Sequence, residues 1–138
     1  MISKMANVGD GTSATSRITY FIFITDGVED IPGSNPDGRQ SDTNYTSLCK
    51  PLIQKYSPNL SIFTIWTDYP PVTSDSQYSY MVQPIYNQIP TALQSCANPS
   101  GVSTNGQYLK ASDGPAIEAA VNTVLQKILA LSSAKLTQ

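Results

Sequence analysis

The fold is decided by an eight-residue stretch, ITYFIFIT at residues 18–25, which Asp26 and Gly27 end abruptly. β-Branched and aromatic residues fill this stretch, and apolar side chains fall on both of its alternating faces. A strand with that pattern is typical of the interior of a sheet that has other structure packed on both sides. We therefore predict a central strand that is covered on two sides.

A second stretch of the same kind, LSIFTIWT at residues 60–67, predicts another buried strand. Between the two strands, a long polar loop is expected from Val28 to Asn44, and its length favours a binding role. A helix is then predicted over residues 45–56. Pro51 should kink this helix or restart it, because proline cannot donate a helical hydrogen bond.

The second half of the chain continues the alternation of strands and helices. Residues 77–95 have helical periodicity, with breaks expected at Pro84 and Pro90, and residues 107–110 predict a short third strand. Ser112 or Asp113 caps a last helix, with Pro115 in its first turn. The apolar stripe of this helix, at intervals of four, three, four and three residues, predicts a core face made of Ile117, Val121, Val124, Ile128 and Leu131.

Strands that alternate with helices predict an α/β fold, a parallel sheet with helices on its faces in three α-β-α layers. Residues 1–16 are polar and read as a flexible lead-in, and residues 17–138 make up the folded part of the chain. About three strands are few for such a sheet. We therefore expect the C-terminal part of a larger Rossmann-like domain whose N-terminal strands are missing.

Composition excludes several classes of function. The 138 residues include 8 Lys plus Arg and 10 Asp plus Glu, a net charge of −2, so no basic excess favours nucleic acid as a partner. Histidine is absent, which removes Ser-His-Asp and Cys-His catalysis and the usual mixed zinc sites. No apolar run in the chain predicts a membrane span.

The end of the first predicted strand is the strongest candidate for a ligand site. Ligands of open parallel sheets bind beyond the carboxyl ends of strands, which is where Thr25 and Asp26 fall. A carboxylate and a hydroxyl suit a hard cation such as Mg²⁺, and Glu29 and Asp30 add negative charge nearby. The alternative is that Asp26 and Gly27 make a turn and the acidic side chains face water.

Five segments in order resemble the von Willebrand factor A (vWA) domain of TadG-type proteins of Tad (tight adherence) Flp-pilus assembly. Phe21 to Asp30 resembles the strand and "TDG" loop of a vWA domain. Cys49 to Pro70 resembles the family's "C…K…I…T.Y.P" segment, and Ile89 to Ala97 its "aLq.CA" turn. Tyr108 to Gly114 resembles its "YF.ASDG" strand and cap, and the ending Lys135 to Gln138 resembles its "RLTQ" terminus.

The resemblance covers about residues 17–138 and implies the C-terminal half of a vWA domain. It implies a non-enzymatic, protein-binding role with pilus-assembly components as partners, in a periplasmic or otherwise extracytoplasmic domain of a membrane-anchored parent. Of the family's metal ligands only Asp26 is matched, because the chain has no Asp-x-Ser-x-Ser loop after an apolar strand; residues 10–14 and 75–79 both fail that pattern. The expected metal site is therefore incomplete, with Mg²⁺ bound only in a full-length parent and no other cofactor.

The two cysteines, Cys49 and Cys96, fall in places that correspond to cysteines of that family. In an oxidising compartment the resemblance implies a disulfide between them, which would close a long loop and stabilise the fold. The alternative is two separate buried thiols that act as small apolar residues.

Two further questions stay open at the level of sequence. The aromatic residues Tyr69, Tyr78, Tyr80 and Tyr86 are either a contact surface for a partner protein or a cover for the helix on the second strand. The chain is either an interaction domain, a truncated domain with no independent activity that self-associates through an unpaired edge, or a small three-layer enzyme or signalling domain. No glycine-rich phosphate loop or receiver-type acidic pair supports the last of these.

Overall fold

The computed structural model describes residues 8–13, 15–28, 42–68, 70–76 and 78–136. Within them the chain has the predicted α/β fold, with three parallel strands in one sheet and helices on both faces. The elements are β1 (Thr19–Thr25), α1 (Asp42–Tyr56), β2 (Leu60–Thr67), a π-helical turn (Tyr78–Val82), α2 (Ile89–Ala97), β3 (Gln107–Ala111) and α3 (Gly114–Leu136).

The central strand of the sheet is β2, so the prediction that residues 18–25 occupy the centre is wrong. The order is β1-β2-β3, with Thr19 paired to Leu60 and Phe63 to Gln107. All of β2 is buried except Thr67, whereas β1 is only partly buried and its Ile24 side chain is 48% exposed. Both stretches have side chains suited to burial on two faces, but in the described chain only β2 has a strand on each side.

The sheet separates two hydrophobic clusters, and we name its faces by the helices that cover them. Face A is covered by α1 and α2, and there Leu60, Ile62 and Trp66 of β2 meet Ile53 of α1 and Leu93 of α2. Face B is covered by α3, whose Ala120 and Val124 pack on Phe63, Ile65 and Ala111. The three predicted layers are therefore present, with two helices on one side and one on the other.

The prolines affect the helices less than the sequence predicted. α1 begins at Asp42, before the predicted start at residue 45, and continues without interruption through Pro51. Pro90 lies in the first turn of α2 and so starts this helix, where a missing N–H costs nothing. Pro84 lies in the turns that separate the π-helical segment from α2, as the expected break requires.

The last helix follows its prediction closely. The Asp113 carboxylate, and not Ser112, accepts a hydrogen bond from the Ala116 N–H at 2.8 Å and caps α3. Val124 of the predicted stripe is fully buried, and Ile117, Val121 and Ile128 pack against the same cluster on face B. No helix in the described part of the chain combines the length and apolar character that crossing a bilayer requires.

Candidate functional site

The candidate site is the edge of the sheet where the three parallel strands end. Asp26 follows β1, Asp68 follows β2, and Lys110 is the last residue but one of β3. Parallel strands bring all three residues to one edge, the side on which open α/β sheets hold their ligands. The sequence predicted Asp26 for this edge and missed Asp68 and Lys110, although Asp68 has the same signal as Asp26, a carboxylate directly after an apolar strand.

Asp26 forms a hydrogen-bonded turn. Its exposed carboxylate accepts the Val28 N–H at 3.0 Å, and the Thr25 hydroxyl accepts the Gly27 N–H at 3.0 Å. The Asp26 carbonyl accepts the indole N–H of Trp66 at 2.9 Å, which fixes the turn to β2. These hydrogen bonds match the alternative in which Asp26 and Gly27 make a turn. They also occupy the side chains of Thr25 and Asp26, the two groups that the sequence predicted as ligands of a cation.

Glycine is required at position 27 for two reasons. Its φ is +85°, in the left-handed region that other residues rarely adopt. A Cβ atom at this position would lie 2.2 Å from Cγ2 of Ile89, the buried first residue of α2. The turn after β1 is therefore packed directly against the start of α2.

Asp68 is the centre of a cluster that ties β2, β3 and the turn before α2 together. Its carboxylate forms an ion pair with the Lys110 ammonium at 2.6 Å and accepts the phenol O–H of Tyr86 at 2.8 Å. The Lys110 ammonium lies 4.7 Å from the centre of the Trp66 ring, which in turn packs on Tyr86. The Asp68 side chain is only 11% exposed, so both of its partners help to offset the loss of water.

The carboxylate of Asp68 changes the acidity of its neighbour. The hydrogen bond to Asp68, with a smaller contribution from burial, raises the pKa of Tyr86 to about 12. Burial also raises the pKa of Tyr108, on β3. Both phenols therefore stay neutral at physiological pH and act as hydrogen-bonding and packing groups, not as bases.

The described residues do not make up a Mg²⁺ site. They contain no group of three His, Cys, Asp or Glu side chains placed to hold a metal ion. Asp26 is engaged in its turn, and the charge of Asp68 is balanced by Lys110. Glu29 and Asp30 of the predicted acidic loop, and nearly all of that loop, lie outside the described residues.

Asp10, which begins one of the two segments tested for the metal motif, lies at the opposite end of β1. Its carboxylate accepts hydrogen bonds from the Thr12 N–H, the Thr12 hydroxyl and the Ser16 hydroxyl, which lower its pKa to about 2. A strand of seven residues separates this turn from Asp26, a distance of roughly 23 Å. The two carboxylates therefore cannot share an ion.

The cysteines lie away from this edge, in the helix layer on face A. A disulfide joins Cys49 of α1 to Cys96 of α2, with a Cα–Cα distance of 4.9 Å, which is the pairing that the family resemblance implies. Both residues are buried within the hydrophobic cluster of face A. The bond fixes the two helices to each other across a loop of 47 residues.

Among the four tyrosines proposed as a contact surface, those described face the protein interior. Tyr78 is buried, and Tyr86 packs on Trp66. Tyr69 and the side chain of Tyr80 lie outside the described residues. For Tyr78 and Tyr86 the structure favours the covering role over the contact surface.

One exposed part of this edge is the segment that follows β2. Residues 70–76 are all exposed, and Val72 is an apolar side chain with 49% exposure next to Pro70 and Pro71. Hydrogen bonds hold the end of the segment in place, from the Asp75 N–H to the Val72 carbonyl and from the Tyr78 N–H to the Asp75 carboxylate. The result is an exposed, proline-containing segment that carries one charged residue, Asp75, beside an ion pair that is already satisfied.

No protein-family model, curated protein or solved structure matches this chain. The resemblance to TadG-type vWA domains therefore depends on the motifs in the sequence. Three of these motifs fall at junctions between elements: Asp26-Gly27 after β1, Cys96-Ala97 at the end of α2, and Ser112-Asp113 between β3 and α3.

Proposed function

We propose that this chain is a non-enzymatic protein-binding domain, related to the C-terminal half of a TadG-type vWA domain, that contributes to Tad pilus assembly. The observation that carries the proposal is the chemistry of the carboxyl edge. There the charged pair Asp68–Lys110 is internally satisfied, and beside it Pro70, Pro71 and Val72 are exposed as an apolar ledge. Exposed apolar groups beside a polar rim are typical of protein contacts.

The arrangement supports binding in preference to catalysis. Catalysis at such an edge needs a nucleophile or an acid-base pair with shifted acidity. In the described part of the edge Asp26 and Asp68 are engaged in hydrogen bonds, and Tyr86 is a phenol that is harder to ionise than usual. The hydrogen bonds of Asp26 and Asp68 fix the shape of the edge. A pre-shaped edge lowers the entropy that is lost when a partner binds.

The disulfide supports the proposed location outside the cytoplasm. Disulfides persist in oxidising compartments such as the bacterial periplasm and are rare in the cytosol. The bond between Cys49 and Cys96 is buried in the cluster of face A, which is the setting of a structural disulfide. We place the domain in the periplasm, as part of a protein anchored in the inner membrane.

Binding of purified partners tests this proposal. The full chain is immobilised, and its affinity for purified Flp pilin and for the periplasmic domains of Tad assembly proteins is measured by biolayer interferometry. We expect micromolar or tighter binding of at least one of them, and a loss of at least tenfold in Val72→Glu, because a charge on the apolar ledge must then be buried. The control is Gln94→Glu, an exposed position on α2, which should bind normally. If none of these proteins binds, the proposed function is wrong.

The same assay separates protein binding from metal binding. Because the described residues do not fit a Mg²⁺ site, we expect the affinity to be the same in excess Mg²⁺ and in EDTA. The melting temperature of the chain, and of Asp26→Asn, should also be unaffected by Mg²⁺. A rise in melting temperature that requires both Mg²⁺ and Asp26 would contradict this and make Asp26 a metal ligand in this chain.

A further inference from the structure

A second surface, separate from the carboxyl edge, is left open on face B. α3 packs on β2 and β3, and its C-terminal part reaches the start of β1, where Leu131 lines a shallow pocket with Ile18 and Tyr20. The other end of β1 is less covered, and Ile24 is 48% exposed there. Among the described residues, β1 also has no strand partner other than β2.

One side of α3 borders this open strip. The Lys127 ammonium donates a hydrogen bond to the Gln107 side chain of β3, so this side of the helix faces the β3 edge. Leu125 and Leu129 are each two positions from Lys127, which places them on the opposite side of the helix, toward β1. They are 45% and 66% exposed. The two exposed leucines and the exposed end of β1 therefore lie on the same side of α3.

The solvent-facing side of α3 also has an unusual composition. A surface helix normally carries charged residues opposite its buried stripe. Here the exposed residues between positions 119 and 133 are all uncharged: Ala119, Asn122, Thr123, Leu125, Gln126, Leu129, Ala130 and Ser133. The exposed Glu118 borders this stretch at its N-terminal end, on the same side of the helix as the two leucines. Depletion of charge is the compositional mark of the centre of a protein interface.

We propose that this surface, made of the uncharged exposed residues of α3 between positions 119 and 133 and the partly covered strip of β1, binds a second copy of the same chain. A helix centred over β1 would lie about 7–10 Å from the axis of α3, since strands are about 4.8 Å apart, and that is the usual distance between packed helices. The chain itself carries a helix with the required uncharged, leucine-bearing side, namely α3.

A two-fold axis parallel to α3 places a helix over β1 of each copy and also supplies that helix with a leucine-bearing side. In that arrangement α3 of each copy covers β1 of the other, and Leu125 and Leu129 meet their own counterparts near the axis. Tyr20, Ile22 and Ile24 of β1 face the uncharged side of the incoming helix. The surface is therefore self-complementary, as an interface between identical subunits must be.

Pairing of two copies through their β1 edges is the main alternative, and it explains less. It would place the two α3 helices about 19–24 Å apart, from the spacing of strands. That gap is about one helix wide, and it would leave Leu125 and Leu129 exposed. The helix-to-helix arrangement covers both the leucines and the strip.

The size of the surface sets the expected affinity. The exposed side of α3 from Ala119 to Ser133 is about 22 Å long, and with the strip of β1 it is about 20 Å wide. Two copies would bury roughly 900 Å² in total, which is below the range of stable interfaces and in the class of weak, transient contacts. We therefore expect a reversible dimer with a dissociation constant in the micromolar range.

Light scattering after size-exclusion chromatography, and analytical ultracentrifugation, measure this directly on the full chain between about 1 and about 200 µM, a range that brackets such a constant. We expect a concentration-dependent dimer, and at least tenfold weaker dimerisation in Leu129→Glu and in Leu125→Glu. Leu129→Met and Val72→Glu are the controls, and both should dimerise normally. Circular dichroism should show that the exposed-site variants stay folded, because neither leucine is part of the core.

Cross-linking tests the proposed orientation. Both natural cysteines are in the disulfide, so a cysteine introduced in Leu125→Cys can pair only with another copy. We expect a covalent dimer on a non-reducing gel, and none from Val72→Cys at the same concentration. A chain that is monomeric throughout, one that forms only polydisperse aggregates, or a dimer that is unaffected by both glutamate variants would overturn the proposal. Binding at the Val72 ledge is unaffected by any of these outcomes, so the two proposals can fail separately.

Discussion

The two faces of the sheet differ in how completely they are closed. Face A has two helices, a disulfide between them, and a buried polar group with a partner: the Thr64 hydroxyl donates to the Leu93 carbonyl at 3.1 Å. Face B has one helix, exposed leucines at its border, and a buried hydroxyl, Ser61 Oγ, that has no partner among the described residues. Covalent and packing constraints are therefore concentrated on one side of a single central strand.

We infer from this difference that face A mainly stabilises the fold and that face B provides a surface for contact. The complete closure of face A stabilises the domain, because apolar burial and loop closure both act there. The open part of face B contributes less to the core and leaves a surface free for contact. The following changes test that division, from the largest expected effect to the smallest.

Removing the disulfide should have the largest effect. Replacing both cysteines, Cys49→Ala with Cys96→Ala, opens a loop of 47 residues and should lower the free energy of unfolding by about 4 kcal/mol on the chain-entropy model. Urea unfolding followed by circular dichroism measures this change. A reducing agent should destabilise the native chain by a similar amount and leave the double variant unchanged. A loss below about 1 kcal/mol would mean that the face A helices are held by packing alone.

Adding one methyl group to the turn after β1 should cause the next largest loss of stability. Gly27→Ala places a Cβ atom against Ile89 at a positive φ, and we expect a loss of about 3 kcal/mol from overpacking and backbone strain together. Gly101→Ala is the matched control, because Gly101 also has a positive φ, +77°, but open space around it. That variant should lose only about 1 kcal/mol. Equal losses at the two positions would show that contact with α2 is not what requires Gly27.

Two buried hydroxyls on β2, one on each face of the sheet, allow the contribution of a single polar group to stability to be compared between the faces. Thr64→Val on face A removes the hydrogen bond to Leu93 and should cost about 1 kcal/mol. Ser61→Ala on face B removes a buried hydroxyl that has no described partner, so the stability should be unchanged or increase by up to about 1 kcal/mol. Thermal and urea unfolding of the two variants give the comparison. A clear loss in Ser61→Ala would reveal a partner for this hydroxyl.

The smallest effect concerns pH at the carboxyl edge. Because Tyr86 has a pKa of about 12 in the fold and about 10 when unfolded, its neutral form stabilises the fold fully below pH 10. That contribution declines between about pH 10 and pH 12, as the unfolded chain loses the proton first. Absorbance titration of the tyrosines should show a late-ionising phenol that disappears in Tyr86→Phe. In Asp68→Asn the same phenol should ionise nearer pH 10, because the carboxylate that opposes its ionisation is gone.

Local patterns predicted some parts of the molecule well. The stripe of α3, the cap at Asp113, β2 and β3 are all set by neighbours within a few residues, through side-chain periodicity and backbone hydrogen bonds. The pairing of Cys49 with Cys96 came from the family resemblance, not from spacing. The candidate site was predicted in part, because Asp26 has a local signal at the end of a strand, but its turn hydrogen bonds and its contact with Trp66 depend on the fold.

The sequence by itself determined the class of fold, since alternating apolar strands and amphipathic helices can bury their side chains only as layers. It also determined the absence of histidine chemistry and the weak net charge. Only the tertiary structure decided which strand is central, because β1 and β2 have the same local pattern and strand order depends on long-range pairing. It also decided that Asp68, Tyr86 and Lys110 meet, and that one side of α3 is left open beside β1, since residues far apart in the chain become neighbours only when the strands align.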